Sequence, residues 1–434
     1  MGIWGEFHPS FFCSVQSTQW EHGLTLTVND GAVRRFLLKG MGPVATIALA
    51  QLLGTALWFS ANGTSDDLIA SWGVGASDIG WLTSAVQLGF ILGTLVISMS
   101  GGADRFRASS IFMGSAVAGA LFNLGFAWLS EGLLSGMLFR FGVGICLAGI
   151  YPMGMKLLVG WAPARTGLAL AQLVAMLTLG TALPHAMRVM GADLPWQLVI
   201  TASSVTAVLG AWLVGSLGDG PHAAVATGRP SGADTRPPSI LHAFRHGPFR
   251  AATLGYFGHM WELYAFWTLV PLIVARTSLA SHFPGLGVSG LSFAIIAVGA
   301  LGSLCGGLLS LRAGSARVAL GALAMSGLCG LVFVLGWRDL QAGSLLLLLM
   351  IWGASVVADS PQFSALAATS CPPASVGSAL AIQNCIGFAI TVVSISVTSS
   401  LFEYLGLDAL WLLLPGPVMG LAGYVLTART TVNR

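Results

Sequence analysis

Long apolar runs recur from one end of the chain to the other, and they leave few folds open. A run of about 20 apolar residues crosses the hydrocarbon core of a bilayer as a helix, since each residue rises about 1.5 Å. Twelve spans are predicted: 41–62, 79–100, 108–129, 133–155, 167–189, 196–217, 250–275, 287–310, 316–337, 343–366, 376–400 and 406–428. Such lengths exclude the alternating strands of an outer-membrane barrel, so an all-α integral membrane fold is expected. Composition agrees. Only 8% of the 434 residues are charged, against about 25% in soluble domains. The 57 glycines suit helices that approach closely within a membrane.

The spans divide into two sets of six. Gly218 to Phe249, rich in Pro, Gly, His and Arg, reads as a linker at 218–249 between bundles at 41–217 and 250–428. Residues 1–40 hold Trp4, Phe7, Phe11, Phe12 and Trp20 but no signal-peptide run, and are expected to form a cytoplasmic extension; 429–434 form a short tail. Arg and Lys test this count, because cytoplasmic loops carry an excess of both. With the N-terminus inside, Arg188, Arg276 and Arg338 fall outside and Arg140 within a span, while all the other Lys and Arg residues fall inside. A cell membrane of the inner-membrane type with both termini cytoplasmic is therefore expected. The net charge of +3, dispersed over short loops, points away from a nucleic-acid partner.

Six cysteines, Cys13, Cys146, Cys305, Cys329, Cys371 and Cys385, are scattered mostly through apolar runs without a Cys-x-x-Cys pair. They read as small packing residues, with no disulfide framework and no metal site. No nucleophile and base stand together in a pattern that suggests an enzyme, and no cofactor is expected.

Polar residues inside the spans carry the functional expectations. Ionisable groups at membrane depth are costly and face a bundle interior or a wet cavity. Arg250 to Ala275 contains Tyr256, His259, Glu262, Tyr264 and Trp267. Tyr256, His259 and Glu262 follow at intervals of three, which places them on roughly one helical face. That face is expected to line a pathway. Asp359 lies in the tenth span beside Ser360, Pro361 and Gln362, where proline frees a carbonyl. Glu262, Asp359 and His259 are candidates for taking up and releasing a proton, with a paired structural role as the alternative.

After the second span the chain reads Ser100-Gly101-Gly102-Ala103-Asp104-Arg105-Phe106-Arg107, and after the eighth Gly307-Leu308-Leu309-Ser310-Leu311-Arg312-Ala313-Gly314. In these loops it resembles the major facilitator superfamily, whose motif is Gly-x-x-x-Asp-Arg-x-Gly-Arg with a weaker second copy. Ser100 and Arg107 stand where the motif has glycines, and Leu311 replaces the acid of the second copy. The resemblance covers 41–428 and implies two pseudo-symmetric six-helix bundles, with Asp104, Arg105 and Arg312 gating the inner side; solvated topology charges are the alternative. It also matches Arg140 in Arg140-Phe141-Gly142-Val143-Gly144 to an Arg-x-x-x-Gly element of the fourth helix. Arg140 is then either a coupling or substrate contact, or a structural cation tied to carbonyls.

Trp58, Asn62, Gln87 and His185 lie in helices that line the cavity in this superfamily; with Arg140, Tyr256, Glu262, Trp267, Gln362 and Gln383 they complete the substrate-binding candidates. Lys156 and Arg165 read as topology charges. The stretch Leu179-Gly180-Thr181-Ala182-Leu183-Pro184 lacks the pattern of many drug/proton antiporters. A general likeness to nitrate/nitrite porters comes without an Arg in the second or eighth span, and sugar-porter motifs are missing. The expected function is proton-coupled secondary transport of a small solute by a monomer surrounded by lipid. An organic anion or zwitterion is slightly favoured because Arg140 is expected to face the cavity. Multidrug/proton antiport and a transporter-like solute sensor are the alternatives.

Overall fold

The computed structural model describes residues 30–100, 102–162, 166–191, 194–222, 244, 246–371 and 376–432. No strand occurs among them, as membrane-depth backbone requires when its polar groups must be satisfied within each segment. The long helices, in chain order, are α1 (Pro43–Thr55), α2 (Ala76–Met99), α3 (Ala108–Leu129), α4 (Leu133–Trp161), α5 (Thr166–Met190), α6 (Trp196–Leu217), α7 (Gly247–Arg276), α8 (Gly287–Ala313), α9 (Ser315–Gly336), α10 (Ala342–Thr369, broken at Asp359), α11 (Val376–Leu405) and α12 (Pro415–Val432). Nine segments among the described residues are long and apolar enough to cross a membrane, or ten if the bent pair Gly31–Met41 and Pro43–Thr55 is one span. Large apolar side chains such as Leu121, Leu134, Trp212, Leu335 and Met419 stay exposed on the outer surface, where a soluble protein would carry charge.

Close crossings at glycine recur at equivalent places. Gly89 of α2 meets the Phe141 carbonyl of α4 and Gly144 of α4 meets the Val86 carbonyl of α2; neither leaves room for a Cβ. In the later helices Gly302 of α8 meets Ala354 of α10, and Gly353 of α10 meets the Ile295 carbonyl of α8, in the same way. Two further seams join early helices to late ones, α5 with α8 and α2 with α11.

Two expected helices are broken. Where 41–62 reads as one span, the helix stops at Thr55, turns from Ala56 to Ala61, and resumes as Asn62–Thr64 and Ser65–Trp72. The cause lies elsewhere in the chain: the Arg140 guanidinium takes the carbonyls of Leu57 and Trp58, which a continuous helix would use in its own ladder. The second break follows from local sequence, since Pro361 just after Asp359 donates no backbone hydrogen bond.

Candidate functional site

α7 runs through the middle of the molecule, and its sides meet different surroundings. Through Tyr256, His259, Met260, Leu263, Tyr264 and Trp267 it forms one wall of a cavity of about 130 Å³. The other walls are Tyr151 and Met155 of α4, Val174, Leu177 and Thr178 of α5, Val357, Ser360 and Ser364 of α10, and Leu380, Gln383, Asn384 and Phe388 of α11. Early and late helices thus share the cavity. Its described lining has no Lys, Arg or carboxylate; His259 is its titratable group besides the tyrosines.

His259 brings an acid with it. Its Nδ1 lies 2.8 Å from Oδ1 of Asp359, and both side chains are almost wholly buried. The contact lacks the geometry of an aligned hydrogen bond and is an ion pair only when the ring is protonated. The outer ring nitrogen, Nε2, has no hydrogen-bond partner among the described residues. Asp359 sits at the α10 break, where the segment Ser360–Thr369 begins, a position at which a helix favours negative charge. Around the pair, the Tyr256 hydroxyl donates to Asn384 Oδ1 at 3.1 Å and the Thr253 hydroxyl to Gln383 Oε1 at 3.3 Å.

Glu262 faces the other way, which corrects the expectation that it lines the pathway with Tyr256 and His259. Oε1 accepts from Trp352 Nε1 of α10 at 2.7 Å and Oε2 from the Ser326 hydroxyl of α9 at 2.8 Å. The carboxylate is closed into the contact of α7, α9 and α10, and Trp352 stacks on Phe266 with ring centroids 4.5 Å apart. Residues three apart differ by about 60° around a helix, so Glu262 lies about 120° from Tyr256. Tyr256 and His259 therefore share the cavity wall while Glu262 leaves it.

Arg140 is also withdrawn from the cavity. It donates to Ser60 Oγ at 2.9 Å and Asn123 Oδ1 at 3.0 Å as well as to the two α1-end carbonyls. Asn123 in turn donates to the Ile200 carbonyl and to Ser204 of α6. The guanidinium is fully buried and knots the broken end of α1 to α3, α4 and α6. Structural cation, one of the two readings open in sequence, is the role this geometry supports.

That knot aims the Trp58 side chain at the molecular centre. Trp58 and Phe90 meet Tyr264 and Phe388, and Phe59 meets Trp267 edge-on, with centroid separations from 5.1 to 5.9 Å for these Trp58 and Phe59 contacts. This aromatic layer closes one end of the cavity, since Tyr264 and Trp267 of α7 and Phe388 of α11 belong to both. Past it is a polar chamber of about 190 Å³ lined by Asn62, Asp66, Asp67, His185, Arg188 and Ser289 among others. On that side the α2–α11 seam is fastened by Ser77 to Glu403, with the backbone N–H and the hydroxyl each 2.9 Å from Oε1, and by Ser84 to Ser396 at 3.3 Å.

The remaining candidates scatter. Asn62 and His185 belong to the chamber beyond the layer, Asn62 donating to Thr83 Oγ1 at 3.0 Å. Gln87 and Gln362 are buried but absent from the cavity lining, while Tyr256, Trp267 and Gln383 are part of it. Arg105 and Arg312 are exposed, and the Asp104 side chain lies outside the described residues, as do 1–29 and most of the linker. Near the motif loop, Asp219 after α6 does the fastening: it accepts from the Ser109 N–H at the start of α3 at 2.8 Å and lies 3.4 Å from Arg107 Nε. Asp219, Tyr151, Asn384 and the two hydrogen-bond donors to Glu262 were not singled out in sequence, since each matters only through partners distant in the chain.

The fold resembles solved structures of membrane transporters. A bacterial homologue of the human lysosomal transporter Spinster, in an inward-facing and unoccupied conformation, matches with a TM-score of 0.66 at 16% identity, over 93% of this chain and 98% of that one. A single-residue variant of the nucleoside transporter NupG matches with a TM-score of 0.66 at 12% identity, over 89% of this chain and 99% of that one. No curated protein matches the sequence significantly. The family model described as Major Facilitator Superfamily matches residues 47–395, most of the chain, and the chain belongs to that superfamily.

Proposed function

We propose that the protein is a secondary active transporter that moves a small solute through the α4–α5–α7–α10–α11 cavity by alternating access, coupled to protons through His259 and Asp359. Membership of the superfamily makes it a multi-pass membrane transporter rather than an enzyme. The observation that carries the coupling is the His259–Asp359 pair: an imidazole on the cavity wall backed by a buried carboxylate, which can hold one proton between them and offer it to the cavity.

The architecture proposed is twelve crossings in two six-helix bundles. To the nine apolar spans are added α1 with its bent continuation; α7, whose 30 residues reach about 45 Å; and a division of Ala379–Ala428. That last stretch of 50 residues is about 75 Å as a helix, more than twice the hydrocarbon thickness of about 30 Å. The loop charges support a reading with the linker and both termini in the cytoplasm of an inner-membrane-type bilayer. The cavity then lies on the cytoplasmic side of the aromatic layer, and the fastened α2–α11 seam lies on the outer side.

The anionic cargo favoured from sequence loses its support, because Arg140 contributes nothing to the described cavity. Tyr151, Tyr256, Tyr264 and Trp267 with Gln383, Asn384, Ser360 and Ser364 suit a neutral or zwitterionic solute with a flat face and several hydrogen-bonding groups. A nucleoside is one such solute, and a nucleoside transporter shares the fold.

The test is solute-driven proton movement in pyranine-loaded proteoliposomes challenged with nucleosides, amino acids, amines and carboxylates. One class is expected to move protons with the wild-type protein and not with Asp359→Asn. Solute accumulation that ignores a pH gradient, in wild type and variant alike, contradicts the coupling.

A further inference from the structure

The chain before α1 is outside the transport reading, and it carries a surface of its own. At Gly42, whose φ of +85° lies in the glycine-favoured region, the backbone turns by 102° between Gly31–Met41 and Pro43–Thr55. With α1 crossing the bilayer, the preceding helical segment lies along the membrane surface. It shows Arg34, Arg35 and Lys39 as exposed cations, leaves Phe36 59% exposed, and buries Leu37 against the protein.

A cleft of about 570 Å³ begins directly below this bend. It is lined by Met41, Pro43, Ala48, Ala169, Met176 and Leu304 among others, almost all apolar. The α5 register shows which way it opens. Ala169 and Met176, with Gln172 between them, fall on one face, whereas Val174 and Thr178, which line the central cavity, lie about 160° and about 120° around the helix from Gln172. The cleft therefore opens to the surrounding lipid, not to the transport cavity. It also spans the two halves, since Leu304 belongs to α8 and the other named walls belong to α1, its approach and α5. Beside it the Ser303 hydroxyl donates to the Ala171 carbonyl at 3.1 Å, one of the links that hold the α5–α8 seam.

We propose that this cleft binds one anionic phospholipid, its acyl chain between α1, α5 and α8 and its phosphate on Lys39 and the neighbouring Arg35 and Arg34. Charge selects the occupant: the helical segment that leads into the cleft at Met41 carries three exposed cations within six residues, which attract anionic headgroups and gain nothing comparable from a zwitterionic one. The apolar wall selects a lipid over a free phosphate. The bound lipid bridges the α5–α8 seam, so it stabilises the arrangement in which that seam is closed. The inference is independent of the cargo and of the coupling residues.

The experiment reconstitutes the full chain in nanodiscs of equal parts phosphatidylcholine and phosphatidylglycerol, then counts co-purifying lipids by native mass spectrometry. Two variants are compared with wild type: the combined R34Q, R35Q and K39Q, and Ala45→Trp, which fills the cleft from α1. Wild type is expected to retain phosphatidylglycerol in preference to phosphatidylcholine, and the triple variant to lose that enrichment by about tenfold or more. Ala45→Trp is expected to lose the retained lipid of either kind. The triple change touches only exposed side chains, so it remains decisive if Ala45→Trp does not fold. Undiminished enrichment in the triple variant overturns the proposal, as does glycerol phosphate displacing the lipid at matched concentration.

Discussion

His259 and Glu262 stand three residues apart on α7, both buried, and belong to different machines. His259 lies on a wall shared by early and late helices, with Nδ1 beside Asp359 and Nε2 without a partner among the described residues. Glu262 is enclosed among late helices only, each oxygen taken by a neutral donor. Arg140 repeats the Glu262 pattern among the early helices, a lone charge whose two terminal nitrogens are held by carbonyls, a hydroxyl and an amide while Nε has no partner among the described residues. The contrast teaches that burial and charge do not mark a pathway. What separates the two classes is whether the group lines a cavity that early and late helices share, as His259 does and Glu262 and Arg140 do not.

The comparison breaks most easily at Arg140. Arg140→Leu removes the donor to the Trp58 carbonyl and leaves the Leu57 carbonyl and Asn123 Oδ1 to share the Ser60 hydroxyl in a buried knot, and is expected to destabilise by about 3 kcal/mol or more. Thermal melting of the purified protein reads this; an unchanged melting temperature with lost transport would instead put Arg140 in the pathway. Next in size is Glu262→Ala, which strands the Trp352 and Ser326 donors beside a void, at a cost of about 2 kcal/mol. Glu262→Gln keeps an acceptor there and should cost about 1 kcal/mol with solute-driven proton flux retained.

Asp359→Asn sharpens the contrast from the other side. It is nearly isosteric and expected to change stability by less than about 1.5 kcal/mol while abolishing solute-driven proton flux. A variant that melts several degrees lower and still moves protons would reverse the assignment. The smallest effect is expected at Asp408, in the 3₁₀ segment Gly406–Leu413 that joins α11 to α12 outside both helices. The hydrogen bond from Arg338, 2.6 Å away, and a second from Trp337 hold its carboxyl below the usual carboxylate range. A lowered folded-state pKa gives stability that is present above the unfolded carboxyl range and lost as pH falls through the folded value. The pair is largely exposed, so Asp408→Asn should cost less than about 1 kcal/mol in a melting series at neutral pH and nothing at strongly acidic pH.

The helical membrane fold was legible because hydrophobic length is a local property of sequence. α2, α3 and α6 begin or end within three residues of their expected bounds. The break after Thr55 was not legible, since the guanidinium that causes it is more than 80 positions away, at Arg140. Proline at 361 marked the α10 break openly. The error at Glu262 is one of angle: spacings of three and three look like a stripe, but each step turns by about 60°, and two steps leave the face. Nor did the sequence say that Asp359 would meet His259 rather than Glu262, a pairing fixed by how α7 and α10 cross.

The most direct test of the account compares wild type, Asp359→Asn and Glu262→Gln in one proteoliposome assay, following proton entry on addition of the transported solute. The account predicts that Glu262→Gln moves protons with solute and Asp359→Asn does not, although Asp359→Asn still exchanges solute across the membrane. Loss of proton movement in Glu262→Gln, with Asp359→Asn behaving as wild type, would contradict it.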